Sequence, residues 1–277
     1  MDEIHNPEPL IPEQAPETDQ EELSHSDKVV GIITNPVRTF EQMSKFPPRV
    51  TDWLMPLSLM IVIAILANII LMSNPDIRYE IRQKQIASIE KTFNEMVEKG
   101  QLTREMADEQ IEKNRERMDE FGTGAAAAIF GAISTLFAVS IMFFIVTGIY
   151  FLFSRFVLKG EGTYQSALSA NGMSYYIAII GTVLMVLASL LTRKFLMGTS
   201  VGAFMNADKN TLAGMLMYKL DVIGIWGLAI TSIGLARMFH SKAMGKYFAV
   251  VFGIWIIWSF ITLGIAKAVP ALSFLAM

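Results

Sequence analysis

Residues 126–153 read AAAIFGAISTLFAVSIMFFIVTGIYFLF, and they lie within a run of 34 residues, between Glu120 and Arg155, that holds no charged side chain. At about 1.5 Å of rise per residue, a helix of this length exceeds the roughly 30 Å of hydrocarbon in a bilayer. In lipid only a helix or a closed barrel satisfies its own backbone. The run is continuously apolar and does not alternate, which selects the helix. Similar gaps occur along the chain: 23 uncharged residues separate Asp52 from Asp76, 31 separate Glu161 from Arg193, and 20 separate Lys246 from Lys267. Another gap, between Asp221 and Arg237, holds only 15. Its reach of about 22 Å suffices if Asp221 and Arg237 sit at the two interfaces, with the arginine stem extended toward water.

Composition agrees with lipid as the solvent. Charged residues make up 18% of the 277 and hydrophobic ones 52%, against about 25% charged in an ordinary soluble domain. Mean hydropathy is +0.42. There is no cysteine, which excludes disulfides, thiolate metal sites and thiol catalysis. A net charge of −3 with no basic stripe gives nucleic acid nothing to bind.

The expected fold is all-α: a bundle of five transmembrane helices with an extramembrane helical hairpin between the first two. Residues 1–28, acidic and proline-rich, read as a disordered tail. Residues 29–52 form an amphipathic interfacial helix and 53–73 the first span. Residues 74–122 form the hairpin and 123–267 the other four spans, at about 126–153, 170–191, 221–239 and 247–267. Residues 268–277 are a C-terminal tail. No basic start followed by an apolar run precedes Leu54, so the first span is expected to serve as an uncleaved anchor. Lys28, Arg38, Lys45, Arg49, Arg155, Lys159, Arg237, Lys242 and Lys246 all fall on one side of such a bundle. The positive-inside rule then places the N-terminus in the cytoplasm and the C-terminus outside.

In 29–52, Asn35-Pro36 opens a helix with proline at its first position. Val37, Phe40 and Met43 give it one apolar face, and Pro47-Pro48 ends it. In the hairpin, Ile77, Ile81, Ile86, Ile89, Phe93 and Met96 form an apolar stripe. Glu80/Lys84 and Glu95/Lys99 are i,i+4 pairs, Gly100 stops the first arm, and Thr103 caps the second. Residues 76–121 thus offer a surface for another membrane protein. Between the third and fourth spans, Asp208 and Lys209 interrupt an apolar stretch, which predicts interfacial structure and not a further crossing.

Motifs for chemistry are sparse. His5, His25 and His240 have no second ligand at metal spacing. No nucleophile elbow, zinc-protease, phosphate-loop or dinucleotide motif is present. The expectation is a non-enzyme without cofactor. Polar groups in or beside the spans are the remaining candidates: Asn68, Asn171, Asp221 and Lys219. A buried Asn in a span usually bonds a neighbouring helix, and Asp221 suits a helix-start cap. Gly124, Ala127, Ala128, Gly131 and Ala132 give small-xxx-small spacing in the second span, with Gly227/Thr231 and Gly264/Ala268 as weaker versions.

The stretch from Leu220-Asp221 through Trp226-Gly227-Leu228 to Ile233-Gly234-Leu235 resembles the fourth span of Yip-domain proteins. Asn35-Pro36 with Thr39-Phe40, and Pro47 ahead of the first span, resemble the start of the bacterial-type members. The likeness covers about residues 29–265 and singles out Pro36, Phe40, Asp221 and Trp226. It implies five spans, no enzyme activity and a role with membrane partners. Eukaryotic relatives bind Rab-class GTPases, and some bacterial members neighbour ABC-type exporters. Two functions are then expected. The first is a scaffold or accessory subunit of a membrane complex, possible as a homo-oligomer, in a bacterial inner membrane. The other is a transporter or channel for a lipid or small apolar solute. A continuous cavity touching Asn68, Asn171 or Asp221 separates them.

Overall fold

A computed structural model describes residues 21–121, 125–209 and 211–268, and among these there are helices and no strand. Residues 1–20 and 269–277, with most of the acidic tail and the C-terminal tail, lie outside the described residues, as does Gly124.

Two short helices lead in, α1 (His25–Thr34) and α2 (Pro36–Met43). The first starts within the stretch whose composition reads as tail. Ser24 caps it by accepting from the Asp27 amide at 3.2 Å. Asn35 caps α2 through the Arg38 amide at 3.3 Å, with Pro36 as the first helical residue. Phe40 is fully buried, and Ile32 and Met43 are buried with it among residues of later spans. The apolar face of 29–52 meets protein where the sequence alone suggested lipid.

The first span, α3 (Thr51–Ser73), passes into α4 (Pro75–Glu98) across Asn74, whose side chain accepts from the Asp76 and Ile77 amides at 3.0 and 3.2 Å. After Gly100, at φ +68°, α5 (Arg104–Phe121) returns along α4. Arg115 pairs with Glu90 across the arms, and Arg104 Nη1 donates to Asn94 Oδ1 at 2.6 Å. Next comes α6 (Ala125–Leu152), closed by a π-helical turn at Phe153–Val157.

The longest helix is α7 (Tyr164–Thr192), which begins six residues ahead of the expected 170. A reciprocal capping box between Thr163 and Ser166 explains the early start. Two short helices follow, α8 (Val201–Phe204) and α9 (Leu212–Lys219), then α10 (Val222–Met238) and α11 (Met244–Ala268).

Among the described residues four helices are long and apolar enough to cross a membrane; α9 with α10, bent by 65°, makes a fifth candidate. The contacts of α10 follow α7 in antiparallel order. Ile223 lies against Gly181, and Gly234 lies against Ala170 and the Phe40 ring. At the far end Arg237 pairs with Glu41 of α2 at 3.1 Å.

The main core gathers Phe40, Tyr150, Ala170, Met173, Ile177, Leu235, Phe239 and Tyr247 at the end of the bundle nearest α1 and α2. At the hairpin end a smaller cluster joins Ala67, Leu71, Ile77 and Val186. Helix α3 approaches α7 so closely that a Cβ on Gly172 would meet the Trp53 Cα at 2.5 Å. Only glycine permits that approach.

Candidate functional site

Polar stripes on two neighbouring helices face one cavity. On α7, Asn171, Ser174, Tyr175, Ala178, Thr182 and Met185 recur at three- and four-residue spacing, which places them on one face. On α10, Gly224, Gly227, Leu228 and Thr231 do the same, with Asp221 at the start. Between these faces lies a cleft of about 340 Å³, within the roughly 300–1,000 Å³ of small-molecule pockets. Tyr150 of α6 closes one end, and Gly198-Thr199 rim the other. Asn171 and Met185 are fourteen positions apart, so the cleft follows α7 for roughly 21 Å.

Hydrogen bonds fix what each side chain offers. Thr147 donates its hydroxyl to the Phe143 carbonyl at 2.7 Å. Its oxygen can therefore only accept from Asn171, at 2.8 Å, which identifies the Asn171 atom there as Nδ2. The Asn171 Oδ1 receives no hydrogen bond among the described residues, although the residue is only 5% exposed. Ser174 donates to the Asn171 carbonyl at 2.7 Å, Thr182 to Ala178 at 3.0 Å, and Thr231 to Gly227 at 3.0 Å.

At the rim, Asp221 caps α10. Its Oδ1 accepts from the Ile223 and Gly224 amides at 3.1 and 3.2 Å and from the Thr199 hydroxyl at 2.8 Å. Among the described residues nothing donates to Oδ2 and no cation pairs with this carboxylate.

The other residues singled out in the sequence lie elsewhere. Asn68 is exposed on α3, with Gly131 of α6 its neighbour. Lys219 sits over the Trp255 ring, 4.2 Å from its centroid. Trp226 packs half-buried against the main core. Pro36 and Phe40 belong to the α2 contact. Asn171 and Asp221 are thus the two that share the cleft.

A second polar group has no counterpart in the sequence reading. Lys28 and Asp52 pair at 2.9 Å with side chains 5% and 3% exposed. The Asp52 carboxylate also accepts from the Arg49 amide at 3.3 Å. Glu22 reaches Lys28 at 3.5 Å and pairs with Arg49. Beside them His25 Nε2 bonds the Tyr176 hydroxyl at 2.7 Å. Burial, with the Lys28 charge, holds the His25 imidazole below its ordinary value of 6.5, and Asp52 opposes this only in part. The signal was the position of Asp52 at the first turn of a span, where a charge needs a partner.

At the opposite end the hairpin is fastened to the segment after α7. Glu80 accepts from the Phe195 amide at 2.6 Å and pairs with Lys84 at 2.9 Å, while Lys84 donates to the Phe195 carbonyl at 3.3 Å. Burial alone would raise Glu80; the bonds from Lys84 and the Phe195 amide overcome it and leave the carboxyl below the usual range. Lys91 pairs with Asp208 at 3.7 Å. Among the described residues no cluster of His, Asp and Glu could hold a metal.

No curated protein and no solved structure matches the chain. A family model, the Yip1 domain, matches residues 30–266. That interval runs from α1 through the last span and takes in the α2 plug, the hairpin and the cleft, so the chain is an integral membrane protein belonging to the Yip1-domain family.

Proposed function

We propose that this protein binds a membrane lipid in the cleft between α7 and α10, as a non-enzymatic lipid-handling protein with five crossings. One observation carries this: the 340 Å³ cleft joins Asn171 to Asp221 along two transmembrane faces. Its walls come from α7 and α10, and no other span lines its long side among the described residues. In a bilayer such a side opens toward acyl chains. The N-terminus is taken as cytoplasmic, on the lysine and arginine asymmetry, and the membrane as a bacterial inner one.

Native mass spectrometry of the full chain, extracted and exchanged into a mild detergent, tests this. About one lipid per chain should survive the exchange. Ala178→Phe fills the cleft and should strip that lipid. Leu191→Phe, at a position 85% exposed, should keep it. Lipid-free wild type, or equal retention in both variants, would refute the cleft as a lipid site.

A second reading keeps the scaffold role, through the hairpin, beside an ABC-type exporter or a second copy of the chain. The motivating observation is the packing of α5 on α4, with α4 fastened to Phe195 near its base through Glu80 and to Asp208 further along through Lys91. Replacing residues 79–118 by a short flexible loop should then release a specific co-purifying membrane protein while the bundle stays folded. An unchanged set of co-purifying proteins would remove this role.

A further inference from the structure

We infer that the lipid held in the cleft carries an ammonium head group with N–H donors; this rests on the lipid-binding reading above. Hydroxyl by hydroxyl, the cleft has already committed its protons. Ser174 and Thr182 donate to α7 carbonyls, Thr231 to an α10 carbonyl, and Thr199 to Asp221. What these groups present to an occupant is oxygen lone pairs. Asn171, a residue only 5% exposed, adds an amide oxygen on the cleft to which nothing donates among the described residues, its orientation fixed by the Thr147 bond. Asp221 adds a carboxylate oxygen at the rim that no cation or N–H reaches among the described residues. The exceptions are the Tyr150 and Tyr175 hydroxyls, which can serve either way.

An acceptor-rich cleft with an uncompensated carboxylate is matched by a cation that donates. A buried acceptor left unpaired carries a desolvation penalty, and a carboxylate facing a low-dielectric cleft gains most from an opposite charge. A phosphate-only head group would bring only negative charge to Asp221, and a glycerol head group would bring O–H donors with no cation to balance the phosphate or the carboxylate. A trimethylated ammonium would supply the charge without an N–H for Asn171 or the hydroxyl lone pairs. A primary ammonium supplies both. Its apolar chains leave through the open long side of the cleft, beside Ala178 and Leu228.

The test uses the full chain in vesicles of matched acyl chains containing phosphatidylethanolamine, phosphatidylcholine and phosphatidylglycerol in equal parts, followed by extraction and native mass spectrometry of the retained lipid. Phosphatidylethanolamine should be enriched at least about fivefold over each of the others. Asp221→Asn should abolish enrichment over phosphatidylglycerol, and Asn keeps the helix cap, so the bundle survives the change. Asn68→Leu, outside the cleft, should leave the ratios alone. Equal retention of the three lipids, or an unchanged preference in Asp221→Asn, would overturn the head-group assignment while the cleft remains a lipid site. Retention of no lipid would overturn both. Displacement of the retained lipid by free phosphoethanolamine would overturn the lipid source in favour of a soluble ammonium.

Discussion

The two ends of this bundle solve the problem of polar groups in lipid differently. Around α1, α2 and the start of α3, the charges are partnered: Lys28 meets Asp52 at 2.9 Å in a buried pair, and Arg237 meets Glu41 at 3.1 Å in a more exposed one. The aromatic core of Phe40, Phe239 and Tyr247 fills the space beside them. Toward the hairpin, α7 and α10 line a cleft whose two ends carry the Asn171 Oδ1 and the Asp221 Oδ2, to which nothing donates among the described residues. Unpaired acceptors that open on a cavity can be met by an occupant, whereas the atoms of the packed end without a partner among the described residues, His25 Nδ1, Trp53 Nε1 and Arg237 Nε, are closed off from solvent. The cleft end is therefore the one proposed to bind.

The sharpest way to break this contrast is to remove one partner at each end. Asp52→Ala takes away the nearer partner of the buried Lys28 ammonium and leaves it Glu22 at 3.5 Å. Breaking a buried pair costs up to about 3–5 kcal/mol; with Glu22 retained the loss should fall at the low end of that range, and the protein in detergent should unfold below the wild-type temperature. Asn171→Leu at the cleft removes one interhelical hydrogen bond, and such bonds in membranes average about 0.6 kcal/mol with a maximum near 1.7. Its thermal shift should be a fraction of that of Asp52→Ala. Equal shifts would mean that the cleft is a structural joint and the contrast is false. If Asp52→Ala proves neutral, the buried pair does not hold the packed end together.

Much of this architecture was legible because lipid imposes long charge-free runs. The gaps after Asp52, Glu120, Glu161 and Lys246 mark the four helices that pass for spans, and the shorter gap after Asp221 marks the bent pair α9–α10. The local stops at Asn74 and Gly100 were legible too, since caps and left-handed glycine are local chemistry. Tertiary choices were not. The amphipathic face of α2 would suit an interface or a protein neighbour equally, and only the position of Gly234 opposite the Phe40 ring decides for protein. The cleft illustrates both cases. The recurrence of Asn171, Ser174, Ala178 and Thr182 on one face of α7 was available as a period, and Asn171 and Asp221 stood out as polar groups. That the two faces enclose a cleft depends on how α10 packs on α7, which no spacing reports. Lys28 and Asp52, 24 positions apart, read as flanking charges until folding brought them together.

The smallest expected effect concerns pH and sharpens the account of the packed end. His25 is bound through Nε2 to Tyr176, and its buried Nδ1 has no partner among the described residues. A protonated imidazole would place a second N–H there with nothing to accept it, next to Lys28. Burial chiefly keeps the folded-state value below 6.5; Asp52 opposes it, and Lys28 adds a smaller push in the same direction as burial. The sign follows from linkage: a folded-state value below the unfolded one means that the unfolded chain binds the proton first as pH falls. Above 6.5 both states are neutral and this contribution to stability is complete; it declines as pH drops through 6.5 toward the folded-state value. His25→Gln can keep a hydrogen bond to Tyr176 without titrating. Thermal unfolding of both proteins between about pH 7.5 and 5.5 should show the wild type losing stability on acidification and the variant holding nearly level. Because His25 is partly exposed, the difference should amount to a small shift in melting temperature. Parallel slopes for the two proteins would show that His25 takes its proton as freely when folded as when unfolded, and that this corner of the packed end tolerates charge.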